Sequence, residues 1–327
     1  MEEIPHFGRV VQEFVEKLGK LSAKELLSYA IKNEREEAEY YSELAGKVRK
    51  LSVRALFAKM SDDSRAHEKA LLRIFEKLFP GENPLDVDIP PVEVLPFYEK
   101  MESVESYLEA LRYCMLSELL AKSVYEGLAS VAPDEDTKEL AMALAVMEGE
   151  HYSEIKRVYE LLVDMAKKKV KPETLESGAY LFTEAGKARY FLLDFMGWDK
   201  RLFAIVRENP LEFAEMFAGK MEELLWVTKV GELEENAGVT VVSPQDVLGL
   251  RKRIARFFEG SEKKGVVLVE NLGYLSLELG FKRVMDFVLY IKDLAILHGG
   301  YLLVTAVPEA FERREWAVIT SELELIS

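Results

Sequence analysis

Two stretches decide the fold: Glu34-Arg-Glu-Glu37-Ala-Glu-Tyr-Tyr41-Ser-Glu-Leu-Ala45 and, 84 residues later, Glu118-Leu-Leu-Ala121-Lys-Ser-Val-Tyr125-Glu-Gly-Leu-Ala129. Glu34 aligns with Glu118, Tyr41 with Tyr125 and Leu44-Ala45 with Leu128-Ala129. The offset continues to His67 and His151, each 33 residues after its glutamate. Residues three or four apart share a helix face, so each copy reads as a helical hairpin that brings a carboxylate and an imidazole inward. Glu148 joins His151 through a Glu-x-x-His spacing. Two such hairpins folded together make four helices with Glu and His converging, which is how a four-helix bundle builds a two-metal carboxylate site. An apolar core has no need of Glu and His in register.

Taken singly, these residues have plainer readings. A Glu-rich helix is usually a solvated face, and a lone histidine is usually a satisfied core or surface residue. Tyr41 and Tyr125 lie two turns, about 10.5 Å, from their own glutamates. They are either core tyrosines or hydrogen-bonding supports for carboxylates of the opposite repeat. Cys114, four residues before Glu118, reads as a small buried apolar residue rather than a redox thiol.

Around the repeat the pattern is helical up to about residue 170. A short helix is expected over Val10–Leu18, and Ser22 with Glu25 has capping-box spacing for a long helix reaching about Lys50. A second runs from about Ser52 to Phe79 and stops at Pro80-Gly81. Residues 80–96 contain prolines 80, 84, 90, 91 and 96, so they form an irregular crossover between hairpins. The third and fourth helices are expected at about Met101–Ser130 and Asp134–Lys168.

After Pro172 the rhythm changes. β-rich runs at Ala179–Thr183, Leu202–Val206, Leu224–Thr228, Val239–Val242, Val266–Val269 and Leu302–Val307 alternate with helical patterns near 185–196, 210–221, 245–259 and 277–297. The alternating Trp316–Leu325 reads as an edge strand. The expected fold class is therefore multidomain α and α/β: a helical bundle over 1–171 and an α/β domain over 172–327 around a mainly parallel sheet.

Composition narrows the chemistry. Residues 1–171 hold 25 basic against 33 acidic side chains, and the whole chain carries −15. No basic stripe of the kind nucleic acid requires is present, and an acidic surface is repelled by anionic lipid. No apolar run reaches the length needed to span a membrane. The amino-terminal residues lack a secretory pattern, so a cytoplasmic protein is expected. The single cysteine excludes an internal disulfide or paired Cys-x-x-Cys iron site, which leaves O and N ligands for any metal. Abundant Glu and Lys are compatible with a thermophile.

The bundle half resembles the rubrerythrin branch of the ferritin-like superfamily. The resemblance covers about residues 22–168 and rests on Glu34-x-x-Glu37-x-x-x-Tyr41, Glu118-x-x-Ala121-x-x-x-Tyr125 and Glu148-x-x-His151. It implies a pair of irons held by Glu34, Glu118, Glu148, His67 and His151, and a reaction with peroxide, dioxygen or ferrous iron. Manganese or zinc also suits such donors. One family ligand is missing: Ser64 stands three before His67, where a glutamate belongs. Glu37 is the preferred substitute and Asp63 the alternative, and one of the two metals is expected to be weakly held or absent. The family's four-cysteine iron site has no counterpart, so electrons must come from an external donor or from ferrous iron. No catalytic residue is assigned. Self-association as a dimer through bundle faces is expected.

In the second half, Gly186-Lys187 follows a strand, but Leu181 and Ala188 stand where a phosphate loop needs Gly and Ser or Thr. ATP hydrolysis is not expected. Glu270, at the end of Val266–Val269, reads as a strand-end polar residue. Residues 175–325 resemble an uncharacterised archaeal family, domain of unknown function 835. The motifs are Ile205-Val-Arg207-Glu-Asn-Pro210, Leu225-Trp226-Val-Thr228 and Val267-Leu-Val-Glu270-Asn-Leu-Gly-Tyr274. That resemblance implies a P-loop-like core without the phosphate loop, and no activity. The competing functional expectation is a structural or sensory module whose α/β domain docks a partner protein.

Overall fold

A computed structural model describes residues 7–92, 103–229 and 238–327. It divides into two compact units between Leu162 and Val163. No described helix is long and apolar enough to cross a membrane.

The first unit is helical: α1 (Phe7–Leu18), α2 (Ala23–Lys47), α3 (Leu51–Leu78), α4 (Val104–Val131) and α5 (Glu135–Lys168), the last running past the division. Local chemistry sets the helix ends. Ser22 and Glu25 form a reciprocal capping box at α2, and Ser103 with Ser106 forms one at α4, each worth about 1 kcal/mol. Asp134 Oδ1 accepts from the Thr137 backbone N–H at 2.8 Å to start α5. After Phe79, Pro80 cannot continue α3, and Gly81 takes φ +75°. Residues 80–92 contain no helix. Pro96 and the expected helix start at Met101 lie outside the described residues.

α2 packs along α3, and its inner face interleaves with α4 and α5 in a core that includes Leu26, Tyr29, Phe75, Val124 and Leu144. Midway along the bundle that apolar layer gives way to buried Glu34, Glu37, Ser64, Glu118, Glu148 and His151.

The second unit is a seven-stranded sheet in the order β4-β3-β2-β5-β6-β1-β7. The strands are β1 (Gly178–Phe182), β2 (Lys200–Val206), β3 (Met221–Val227), β4 (Val239–Val242), β5 (Lys264–Val269), β6 (Tyr301–Thr305) and β7 (Glu324–Leu325), and every pairing is parallel. Central strands of such sheets are covered on both faces, so they read as continuous apolar runs. Leu202–Val206 and Tyr301–Thr305 are accordingly buried throughout. Among the described residues, the α-helices between the strands are α6 (Ala185–Phe195), α7 (Pro210–Met216), α8 (Val247–Glu259), α9 (Leu272–Leu279), α10 (Phe281–Leu297) and α11 (Arg313–Glu322).

Three elements depart from the sequence reading. Most of Trp316–Leu325 is helix, because Glu312 and Glu315 form a capping box and Trp316, Ile319 and Leu323 recur at helical spacing. Only Glu324 and Leu325 pair with β1, as the parallel edge. The 277–297 pattern belongs to two helices, broken by Gly280 at φ +82°, a conformation that glycine adopts without a Cβ penalty. The helix at 210–221 stops at Met216, and Met221 already begins β3.

Candidate metal centre

α2, α4 and α5 each present carboxylates to the bundle axis, and α5 adds an imidazole one turn from Glu148. Glu37, Glu118, Glu148 and His151 each place one donor atom so that all four lie within 4.8 Å of one another, and all are buried. Glu34 and His67 form a neighbouring pair, Oε2 to Nδ1 at 3.4 Å. The rings of His67 and His151 stack with centroids 5.1 Å apart. The six sequence-derived candidates thus fall into a group of four and an adjoining pair.

Five polar atoms of this set lack a hydrogen-bond partner in the protein. Among the described residues, Glu34 Oε2, His67 Nδ1, Glu118 Oε2 and both ring nitrogens of His151 are buried without a hydrogen-bond partner. His151 Nδ1 is 3.7 Å from carboxylate oxygens of both Glu37 and Glu118, close enough for charge attraction only. Three carboxylates and a histidine out of water balance their charge through protons, a charged His151 or a bound cation. The donor set suits a divalent ion such as iron, manganese or zinc.

Neighbouring groups tune the carboxylates. Tyr41 OH donates to Glu118 Oε1 across from α2 to α4. Burial, then the negative charge of Glu118, holds the Tyr41 phenol well above its ordinary value, so it keeps its proton. For Glu118, burial pushes the carboxyl up, but His151, Glu148 and Tyr41 together bring it below the ordinary carboxylate range. For His151, burial opposes the charged ring, yet Glu118 and the other nearby carboxylates raise it overall. Cys114 is buried, and burial followed by the charge of Glu118 pushes its thiol far up, leaving an inert thiol.

Ser64 occupies the position where the family pattern has a carboxylate. Its Oγ lies 3.0 Å from both Glu37 Oε2 and the Met60 carbonyl, and one hydroxyl proton serves one of them at a time. The serine therefore contacts the glutamate from α2 that stands in the cluster. Asp63 instead pairs with Lys59 Nζ at 2.7 Å, on the wall of a surface hollow of ≈ 730 Å³ that reaches His67 and His151. His67 is the more accessible of the two, its side chain 17% exposed.

In the α/β unit, the carboxylate at the end of β5 meets a different fate. Glu270 takes two hydrogen bonds from Arg189, Nε to Oε1 at 2.7 Å and Nη2 to Oε2 at 2.9 Å. Arg189 also lies over Phe213 and 3.6 Å from Glu208. Sequence reasoning missed Arg189, which stands 81 residues from its partner with no spacing rule to connect them.

Residues 25–176 match the family model described as Rubrerythrin, and residues 181–323 match one described as a protein of unknown function, DUF835. No curated protein matches the chain. A solved structure of a hypothetical protein from Pyrococcus furiosus is 29% identical, covering 46% of this chain and 96% of its own, with a TM-score of 0.39. The chain thus joins a helical region similar to rubrerythrin, a ferritin-like bundle, to a parallel-sheet domain similar to DUF835.

Proposed function

We propose that the bundle is a di-metal carboxylate site, with iron the expected metal, acting as an oxidoreductase on peroxide, dioxygen or ferrous iron. The observation that carries this reading is the buried Glu37, Glu118, Glu148 and His151 cluster, in which Glu118 Oε2 and both ring nitrogens of His151 lack a hydrogen-bond partner. When bound, a redox-active metal supplies electron exchange with the oxidant. The four clustered residues hold one ion, and Glu34 with His67 offers donors to a second. Tyr41 orients Glu118 and retains its proton. The hollow beside His67 admits a small oxidant. With one buried cysteine in the chain, electrons come from outside, through a donor protein or ferrous ions.

Ser64 favours a second reading, in which the centre holds one metal and serves sensing or structure. Elemental analysis of protein from iron-supplemented cells separates the two. About two irons per chain supports the di-metal site. About one, rising to two in Ser64→Glu, supports the single-metal reading, and none in either protein removes both. Oxidant consumption by the reduced, metal-loaded protein then tests activity. It is expected to disappear in Glu118→Ala and to persist in the control Glu36→Ala.

A further inference from the structure

The α/β domain carries a basic hollow of ≈ 780 Å³ at the amino ends of its three adjacent strands β3, β2 and β5. Lys200, Arg201, Lys220 and Lys263 line it against one carboxylate, Glu222, in a chain whose net charge is −15. At its rim stands Trp198, 89% exposed and the most exposed large apolar side chain among the described residues.

The backbone beside this tryptophan is fixed. The Gly197 N–H donates to the Phe195 carbonyl at 3.1 Å, and the Asp199 carbonyl accepts from Lys264 N–H at 3.1 Å, so the backbone is pinned on both sides of the tryptophan. Two of the four cations are committed locally. Lys200 sits 4.8 Å over the Phe195 ring and 3.3 Å from Asp199, while Arg201 bonds Glu222 at 2.8 Å and stacks on Phe257. Lys220 and Lys263 are exposed, with no carboxylate in ion-pair reach among the described residues.

We propose that this strand-end surface docks an acidic segment of a partner protein, with Trp198 as the apolar anchor and Lys220 and Lys263 as the carboxylate contacts. A held, exposed tryptophan flanked by free cations is the arrangement from which a few residues supply most of an interface's affinity, and pinning it beforehand lowers the ordering cost. The hollow is open and the indole projects outward, so a small molecule would leave most of the ring uncovered. A nucleic acid or an anionic membrane is an extended polyanion, disfavoured by the chain's net charge of −15. A short acidic segment meets mainly the local field, because screening confines it to about 10 Å. The inference does not depend on the metal reading.

The test uses the full chain and an end-labelled peptide of alternating glutamate and leucine, with binding read by fluorescence anisotropy. The peptide is expected to bind, and to lose about tenfold or more in affinity in Trp198→Ala and in Lys220→Glu/Lys263→Glu. A matched peptide of glutamine and leucine is expected to bind no better than either variant. Absence of peptide binding overturns the proposal. Equal binding by wild type and Trp198→Ala overturns it too, since diffuse charge would then suffice. Tighter binding of a single-stranded oligonucleotide or of phosphatidylserine vesicles would replace the proposed partner with another class.

Discussion

Glu118 in the bundle and Glu270 in the α/β domain are both carboxylates removed from water, yet the chain treats them oppositely. Glu270 is 2% exposed and receives a two-pronged hydrogen bond from Arg189, a cation the same domain provides. Glu118 is 0% exposed and sits among two further glutamates and a histidine that lacks hydrogen-bond partners. A buried charge needs a counter-charge. One region closes the charge with a single bidentate arginine, whereas the other sets three carboxylates against one histidine. The difference separates a closed structural pair from a site that calls for a ligand, though both end in a buried glutamate.

The strongest way to break the comparison is to remove the internal cation. Arg189→Met leaves Glu270 buried and uncompensated, and is expected to cost about 3–5 kcal/mol. Adding Glu270→Leu removes the orphaned charge and should restore most of that loss. All three tryptophans, 198, 226 and 316, lie in the α/β domain, so urea unfolding followed by their fluorescence reads this domain directly. A neutral Arg189→Met would mean that Glu270 is folded in its protonated form, a direction in which burial already pushes it.

The converse experiment adds a divalent cation to the bundle. Divalent iron at a hundredfold excess over its dissociation constant should stabilise the bundle by about 2.7 kcal/mol, seen as slowed amide exchange in α4 and α5. Glu118→Ala should abolish the effect, while the α/β tryptophan signal stays where it was. Undiminished stabilisation in that variant would place the ion elsewhere. A smaller loss is expected from Tyr41→Phe, which keeps every ligand but removes the donor to Glu118 Oε1. Metal affinity should fall about 10- to 100-fold, and an unchanged affinity would reduce Tyr41 to a packing residue.

The same contrast explains what could be read from the sequence. The bundle's candidates obey two rules visible in one dimension: helix periodicity, and a repeat offset that places Glu34 and Glu118, or His67 and His151, at equivalent positions. Ser64 announced itself only because the repeat prescribes what should stand there. Its hydroxyl contact with Glu37 is a tertiary fact, set by how α3 lies on α2. The strands were legible as apolar runs, since central parallel strands are buried on both faces. The sheet order was not, because it depends on crossovers, and neither was Arg189, whose pairing with Glu270 depends on that order. The edge strand expected at Trp316–Leu325 failed because capping by Glu312 and Glu315 outweighed a short alternation.

The smallest effect, and the one that bears most directly on the open charge in the bundle, is the response to pH without metal. Glu118 is held below its ordinary value, so its contribution is present above about 4.5 and lost as pH falls through its lowered folded value. His151 is raised, so its contribution is present below about 6.5 and lost as pH climbs through its raised folded value. The metal-free bundle should therefore be most stable between those two pH values, and amide exchange in α4 and α5 should quicken on either side. Glu270, raised by burial against the pull of Arg189, has the opposite sign in acid: its contribution is present below about 4.5 and lost as pH climbs through its raised folded value, while Arg189 stays charged. Metal should reverse the alkaline arm in the bundle alone, because a ligating imidazole must first give up its proton and affinity then grows with pH. If exchange in the metal-free bundle is level across 6.5, His151 is neutral beside Glu118, and the cluster balances its charge with protons shared among its carboxyl groups instead.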